Sequence, residues 1–109
     1  MRRRYETDIE KIFRESLEKE GFRLGIDFAT QFPIKNSYIL DFEFPKEKIG
    51  IECDGEHWHS SDSSKKRDRF KDYVMMQKGW KIVRFTETEI KKDVSICINT
   101  LLKLRKNSV

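Results

Sequence analysis

Residues 38–59, YILDFEFPKEKIGIECDGEHWH, carry most of the unusual chemistry of this 109-residue chain. The first half alternates: Tyr38, Leu40, Phe42 and Phe44 fall on one face of an extended segment, and Ile39, Asp41 and Glu43 on the other. Ile49, Ile51 and Cys53 then alternate with Gly50, Glu52 and Asp54 in the same way. Between the two runs, Pro45-Lys46-Glu47-Lys48 has the proline and polarity of a turn, so the stretch predicts a β-hairpin. With those residues as the loop, Phe44 faces Ile49, Phe42 faces Ile51, and Asp41 faces Glu52.

That register gathers Asp41, Glu52 and Asp54 on one face. Like charges opposed on a sheet are destabilising and burial raises carboxylate pKa values, so such a cluster needs compensation. Two readings stand side by side: a solvated acidic face on an edge hairpin, or a site for a divalent cation. An all-oxygen donor set suits Mg²⁺, with Mn²⁺ as substitute, because these ions bind through one or two carboxylates and leave positions for water and substrate phosphate.

The length predicts a single domain over residues 1–109, with a basic arm at 1–5 and a basic tail at 105–109. Hydrophobic residues make up 37% and charged residues 39%, which describes a soluble domain with a heavily charged surface. No apolar run approaches membrane-spanning length and MRRRYETDIE lacks a signal-peptide core, so an intracellular protein with no membrane association is expected. Cys53 and Cys97 lie in apolar contexts and read as reduced, buried thiols. The net charge is +4 despite the acidic hairpin. Basic residues concentrate at Arg2-Arg3-Arg4, at Lys65-Lys66-Arg67 with Arg69 and Lys71, and at Lys103, Arg105 and Lys106. An acidic pocket in a basic protein points to a polyanionic substrate held by its phosphates, although each basic run taken alone also reads as a solvated face.

Along the chain, Thr7-Asp8-Ile9-Glu10 is a capping box opening a helix with Ile9, Ile12, Phe13 and Leu17 on one stripe and Gly21 as its stop. The cap alone accounts for Glu10, and a functional use competes with it. Asp27–Ile34 predicts a short strand that Pro33 confines to an edge or an end, with Gln31 either aimed at the site or on the surface. After the hairpin, a polar loop presents Trp58, either as a lid on the core or as a ring that stacks on or wedges between bases. A helix over Lys65–Lys78 follows, with Phe70, Tyr73, Val74 and Gln77 as its core stripe and Gly79 as its end. Asp68 near its start suits the helix dipole by itself. Trp80–Thr86 predicts a strand parallel to Ile49–Asp54, reached by a crossover. A final helix begins between Thr88 and Asp93, buries Val94, Cys97, Ile98, Leu101 and Leu104, and frays into the tail. The expected order is αβββαβα, a mixed β-sheet flanked by helices.

The pattern resembles the PD-(D/E)xK nuclease superfamily, and within it the small nucleases similar to the very-short-patch-repair mismatch endonuclease and related homing endonucleases. The likeness runs over roughly residues 7 to 90 and rests on the order of several short motifs. These are Thr7-Asp8-Ile9-Glu10-Lys11, Asp41-Phe42-Glu43-Phe44-Pro45, Asp54-Gly55-Glu56-His57-Trp58-His59, and Arg67-Asp68 with Gly79-Trp80-Lys81-Ile82-Val83-Arg84-Phe85. It implies a restriction-endonuclease-like fold with Asp41 as the metal-binding carboxylate and the Cys53 carbonyl as a second ligand. It also implies Glu10 as the holder of a metal-bound water, and His59 as general base or acid oriented by Asp68, in keeping with the need of a catalytic His for a carboxylate partner. His57 and Trp58 occupy positions that hold intercalating aromatics in mismatch-repair relatives. The usual E-x-K ends here in Glu52-Cys53-Asp54, so the lysine is missing and the roles of Glu52 and Asp54, ligand or bystander, stay open.

The sequence reading is therefore a Mg²⁺-dependent DNA endonuclease that nicks or cuts, with a catalytically inactive, nuclease-fold DNA-binding module of a larger repair or modification system as the alternative. An RNA-processing enzyme differs from the first only in substrate. With no recognisable groove-reading helix, the chain sets no cognate sequence or oligomeric state and leaves room for a separate targeting domain or protein.

Overall fold

A computed structural model describes residues 5–34, 38–55 and 62–107, with side chains described outside 32–39, 62–65, 67 and 68. The first helix, α1 (Asp8–Lys19), starts where the capping box places it. Thr7 Oγ1 accepts from the Glu10 amide at 3.3 Å and the Glu10 carboxylate accepts from the Thr7 amide at 3.4 Å, so two of the four amides that a helix start leaves unpaired find partners. The residues after it fold into a turn because Asp27 Oδ2 accepts from the Arg23 amide at 2.7 Å. Strand β1 (Ala29–Ile34) consequently begins two residues later than the apolar pattern suggests.

The hairpin forms as β2 (Tyr38–Phe44) and β3 (Ile49–Asp54), paired Phe44 to Ile49, Glu43 to Gly50 and Phe42 to Ile51. Lys48 closes its loop at φ 56°, a left-handed conformation. Next come α2 (Asp62–Gln77), β4 (Lys81–Thr86) and α3 (Glu87–Asn107). The sheet order is β1-β2-β3-β4, antiparallel except for the parallel β3–β4 pair, with β1 on an edge as Pro33 requires. Element order and mixed sheet agree with the sequence reading.

Helices cover both faces. One face carries Phe42, Phe44, Ile49, Ile51, Cys53 and Phe85, packed with Ile9, Phe13 and Leu17 of α1 and Cys97, Ile98 and Leu101 of α3. Phe13 is its hub, with ring centroids 5.1 Å from Phe42 and 5.6 Å from Phe85. Fully burying one such ring contributes about 2–3 kcal/mol. The opposite face carries Gly50, Glu52, Ile82 and Arg84, paired in register across β3 and β4, and lies under α2.

The core stripe expected on α2 is not the one that docks. Phe70 and Tyr73 are each 60% exposed, Gln77 is exposed, and Met75 is buried instead. The helix is turned by about one residue, roughly 100°, because the sheet under it offers ionised partners. Lys71 pairs with Glu52 and Asp72 with Arg84, leaving little apolar area for rings.

At the other end, α3 opens directly from β4 through a second reciprocal cap. Thr86 Oγ1 accepts from the Glu89 amide at 3.1 Å, and Glu89 returns a carboxylate to the Thr86 amide at 2.8 Å. Asp93 kinks α3 in an extended conformation and recaps it through the Ser95 amide, so the helix starts at Glu87, one residue ahead of the expected range of Thr88 to Asp93, and starts again at the end of that range. Arg105 is not part of a frayed tail. It lies within α3, bonded to Glu47 at 2.5 Å and stacked 4.7 Å from the Phe22 ring. No described helix is long and apolar enough to cross a membrane.

Candidate active site

The site begins where the β2–β3 ladder stops. The last paired residue on β2 is Phe42, and at the next position the Asp41 side chain takes over: its Oδ2 accepts from the Cys53 amide at 2.7 Å. A carboxylate thus replaces a backbone carbonyl as the acceptor, which opens the strands and fixes the acid at their junction. Across β2, Gln31 interrupts the other ladder. It sits between the pairs Thr30–Phe42 and Phe32–Leu40 at φ 49°, a left-handed conformation that a glutamine adopts only at a cost.

The alternation predicted for β2 slips at the same point. Phe42 packs into the α1–α3 core, whereas Leu40 lies on the α2 face, where a Cβ on Gly50 would meet its Cδ1 at 2.7 Å and Ile82 Cδ1 at 2.8 Å. Only glycine allows those two side chains to close over the strand there.

A cleft of about 330 Å³ lies beside this junction, lined by Asp41, Phe42, Glu10, Arg14, Thr30 and Gln31 together with Tyr5, Glu6 and Leu24. Asp41 is 4% exposed and Glu10 3%. Glu10 closes the helix cap, as one of its two readings has it, and also lines the cleft. The Arg14 guanidinium is held by Glu6 at 2.7 and 3.1 Å and by Glu18 at 2.5 Å, bonds that push its pKa above the usual arginine range. The Gln31 Oε1 atom is buried and has no hydrogen-bond partner among the described residues.

The three acids expected on one face are divided instead. Glu52 and Asp54 do not line the cleft. Glu52 bonds to Lys71 of α2, and Asp54 meets Arg84 at 3.5 Å while Arg84 also holds Asp72 at 2.7 Å. Among the described residues, no group of three His, Cys, Asp or Glu side chains has metal-binding geometry. The cleft lining holds the carboxylates of Asp41, Glu10 and Glu6, the last bonded to Arg14, and the Gln31 amide; oxygen donors of this kind suit Mg²⁺ or Mn²⁺, which need no more than one or two carboxylates. The Cys53 thiol is pushed far up by burial first and then by Asp41, Glu10, Glu52 and Asp54, so it is inert and records how closely all four acids approach the end of β3.

Glu43 is an acid to which the sequence reading gave no separate role. It is 1% exposed, its Oε2 has no partner among the described residues, and burial pushes its carboxyl up to about 7. Its place between Phe42 and Phe44, opposite Gly50, was the available signal. His57, Trp58 and His59 lie outside the described residues, as do the side chains of Lys65, Arg67 and Asp68, so the His59–Asp68 pairing is not part of this geometry. Lys66 is exposed on α2.

Comparison with known proteins places this geometry in context. A family model, REase_MTES_1575, matches residues 10–104. A protein of Haemophilus influenzae (strain Rd) that carries the description "Uncharacterized protein" is 28% identical over 102 residues, covering 94% of this chain and 82% of that protein. Among solved structures, the catalytic domain of the homing endonuclease I-Bth0305I superposes with a TM-score of 0.74 at 19% identity, covering 94% of this chain and 98% of that domain.

Proposed function

The chain belongs to the restriction-endonuclease-like REase_MTES_1575 family, and from that premise we propose that it is a Mg²⁺-dependent DNA endonuclease hydrolysing phosphodiester bonds. The observation that carries the proposal is the Asp41 carboxylate, anchored by the Cys53 amide at the end of the β2–β3 ladder and facing the cleft that Glu10 also lines. Asp41, with the Cys53 carbonyl beside it, would hold the cation. When bound there, a divalent ion supplies Lewis-acid polarisation of a phosphoryl oxygen and lowers the pKa of water.

The chain's own groups supply the rest. The amide bond to Cys53 keeps Asp41 oriented, so no reorganisation of the carboxylate is needed when substrate arrives. Glu10 accepts a hydrogen bond from the attacking water and directs it towards the phosphorus. His59, oriented by Asp68, exchanges the proton. Lys65, Lys66 and Arg67 at the start of α2 hold the DNA backbone, and His57 and Trp58 stack against bases, the feature shared with very-short-patch-repair endonucleases. A net charge of +4 and a sequence pI near 9.1 favour a phosphate polyanion as substrate.

Asp41→Asn is expected to take nicking of supercoiled plasmid to background while the far-ultraviolet circular dichroism spectrum stays unchanged. Undiminished cleavage by that variant overturns the proposal.

One observation favours a second reading, a binding module without activity that works beside a separate targeting or modifying protein. Lys71 and Arg84 already neutralise Glu52 and Asp54, the acids at the E-x-K position. Calorimetry separates the readings: salt-sensitive DNA binding with no Mg²⁺ or Mn²⁺ binding supports the module.

A further inference from the structure

We propose that Gln31 is a positioning residue of this site, its side-chain carbonyl serving as the third oxygen turned towards the divalent cation beside Asp41 and Glu10. The inference rests on the metal-dependent reading given above and names a residue that reading does not use. Its starting point is the Gln31 Oε1 atom, which is buried without a hydrogen-bond partner among the described residues and belongs to a residue that lines the cleft Asp41 and Glu10 share. Buried acceptors are almost always satisfied, and one that is not implies an absent donor or cation.

The hydroxyls of Tyr5 and Thr30 also line the cleft, and the charged neighbours narrow the choice further. Arg14 is the guanidinium in this lining, and Glu6 and Glu18 hold it with three bonds. Asp41 and Glu10, when ionised, are acceptors only and cannot donate to an amide oxygen. Glu43 Oε2 is the other buried side-chain oxygen without a partner among the described residues, and Glu43 does not line the cleft. A hard cation, or the water it carries, satisfies Oε1 and both carboxylates together.

The backbone agrees with this assignment. Gln31 leaves the ladder at φ 49° at the position facing Asp41 across β2, so the irregularity in β1 and the one at Asp41 meet at the same cleft. A glutamine that only faced solvent would need neither the buried oxygen nor the left-handed backbone.

Titration of the full chain with Mn²⁺, followed by calorimetry, tests this alongside urea denaturation without metal. Gln31→Leu is expected to weaken Mn²⁺ binding about tenfold with no loss of metal-free stability, because the oxygen it removes has no partner among the described residues. Gln31→Glu, which keeps an oxygen at that position, is expected to restore wild-type affinity or exceed it. If Gln31→Leu binds Mn²⁺ as tightly as the wild type, the inference is overturned and the metal-dependent reading survives. If Gln31→Leu instead unfolds at lower urea without metal while Gln31→Glu fails to recover affinity, the amide is a structural brace and the inference is again overturned. If the wild type itself binds no Mn²⁺, the underlying reading falls with it.

Discussion

Two sets of acids flank the end of β3, and the protein holds them by different means. On the α2 face, Glu52 and Asp54 meet the cations Lys71 and Arg84. At the cleft, backbone amides hold Asp41 and Glu10: Cys53 donates to one and Thr7 to the other. A cation partner neutralises an acid, whereas an amide orients it and leaves its charge in place. The difference separates acids locked in ion pairs with the helix and strand beside them from acids oriented by the backbone at the cleft. Glu43 adds a third arrangement, a buried carboxyl whose pKa desolvation raises to about 7.

Breaking the cleft side should have the largest effect. Asp41→Asn removes the anchored charge, so plasmid nicking should fall to background and calorimetric Mn²⁺ binding should vanish, with folding retained. If Glu52→Gln lost Mn²⁺ affinity to the same extent, the distinction between the two sets would collapse.

Breaking the α2 side should cost stability instead. Lys71→Met leaves Glu52 buried without its cation, which should destabilise the fold by about 3 kcal/mol in urea denaturation, while replacing both by leucine should come close to the wild type. A full additive loss in that double variant would show that the pair contributes more than charge compensation.

The third arrangement is read by pH. Glu43 has its folded pKa raised from 4.5 to about 7, so its neutral form favours the folded state. The contribution is complete below about pH 4.5 and lost as pH rises towards 7, a span worth roughly 3 kcal/mol by linkage. Glu43→Gln should remove that slope, and equal slopes in the two proteins would refute the assignment. The smallest effect belongs to Arg84→Ala, which loses the half-exposed contact to Asp72 and the longer one to Asp54 and should cost about 1 kcal/mol.

These contrasts mark how far the sequence could be read. The hairpin register followed from a loop bounded by Pro45 and from strict alternation, and the capping box at Thr7 fixed α1, because both are local rules written in adjacent residues. The box at Thr86 and Glu89 obeyed the same rule and could have been seen. The slip between Leu40 and Phe42 could not, since it arises where Asp41 exchanges a ladder bond for a side-chain bond to a residue on the next strand. The rotation of α2 was hidden for a related reason: Lys71 and Asp72 found their partners on β3 and β4, and no helical period within α2 encodes that.

The packing of α1 against α3 also sets the order in which the domain can be made. Phe13 and Leu17 need Ile98 and Leu101 to complete their surroundings. On the ribosome, the first helix must therefore wait, its apolar stripe uncovered, until α3 has emerged. Chaperone dependence, and loss of yield when translation is slowed ahead of residue 98, are what such a clasp predicts.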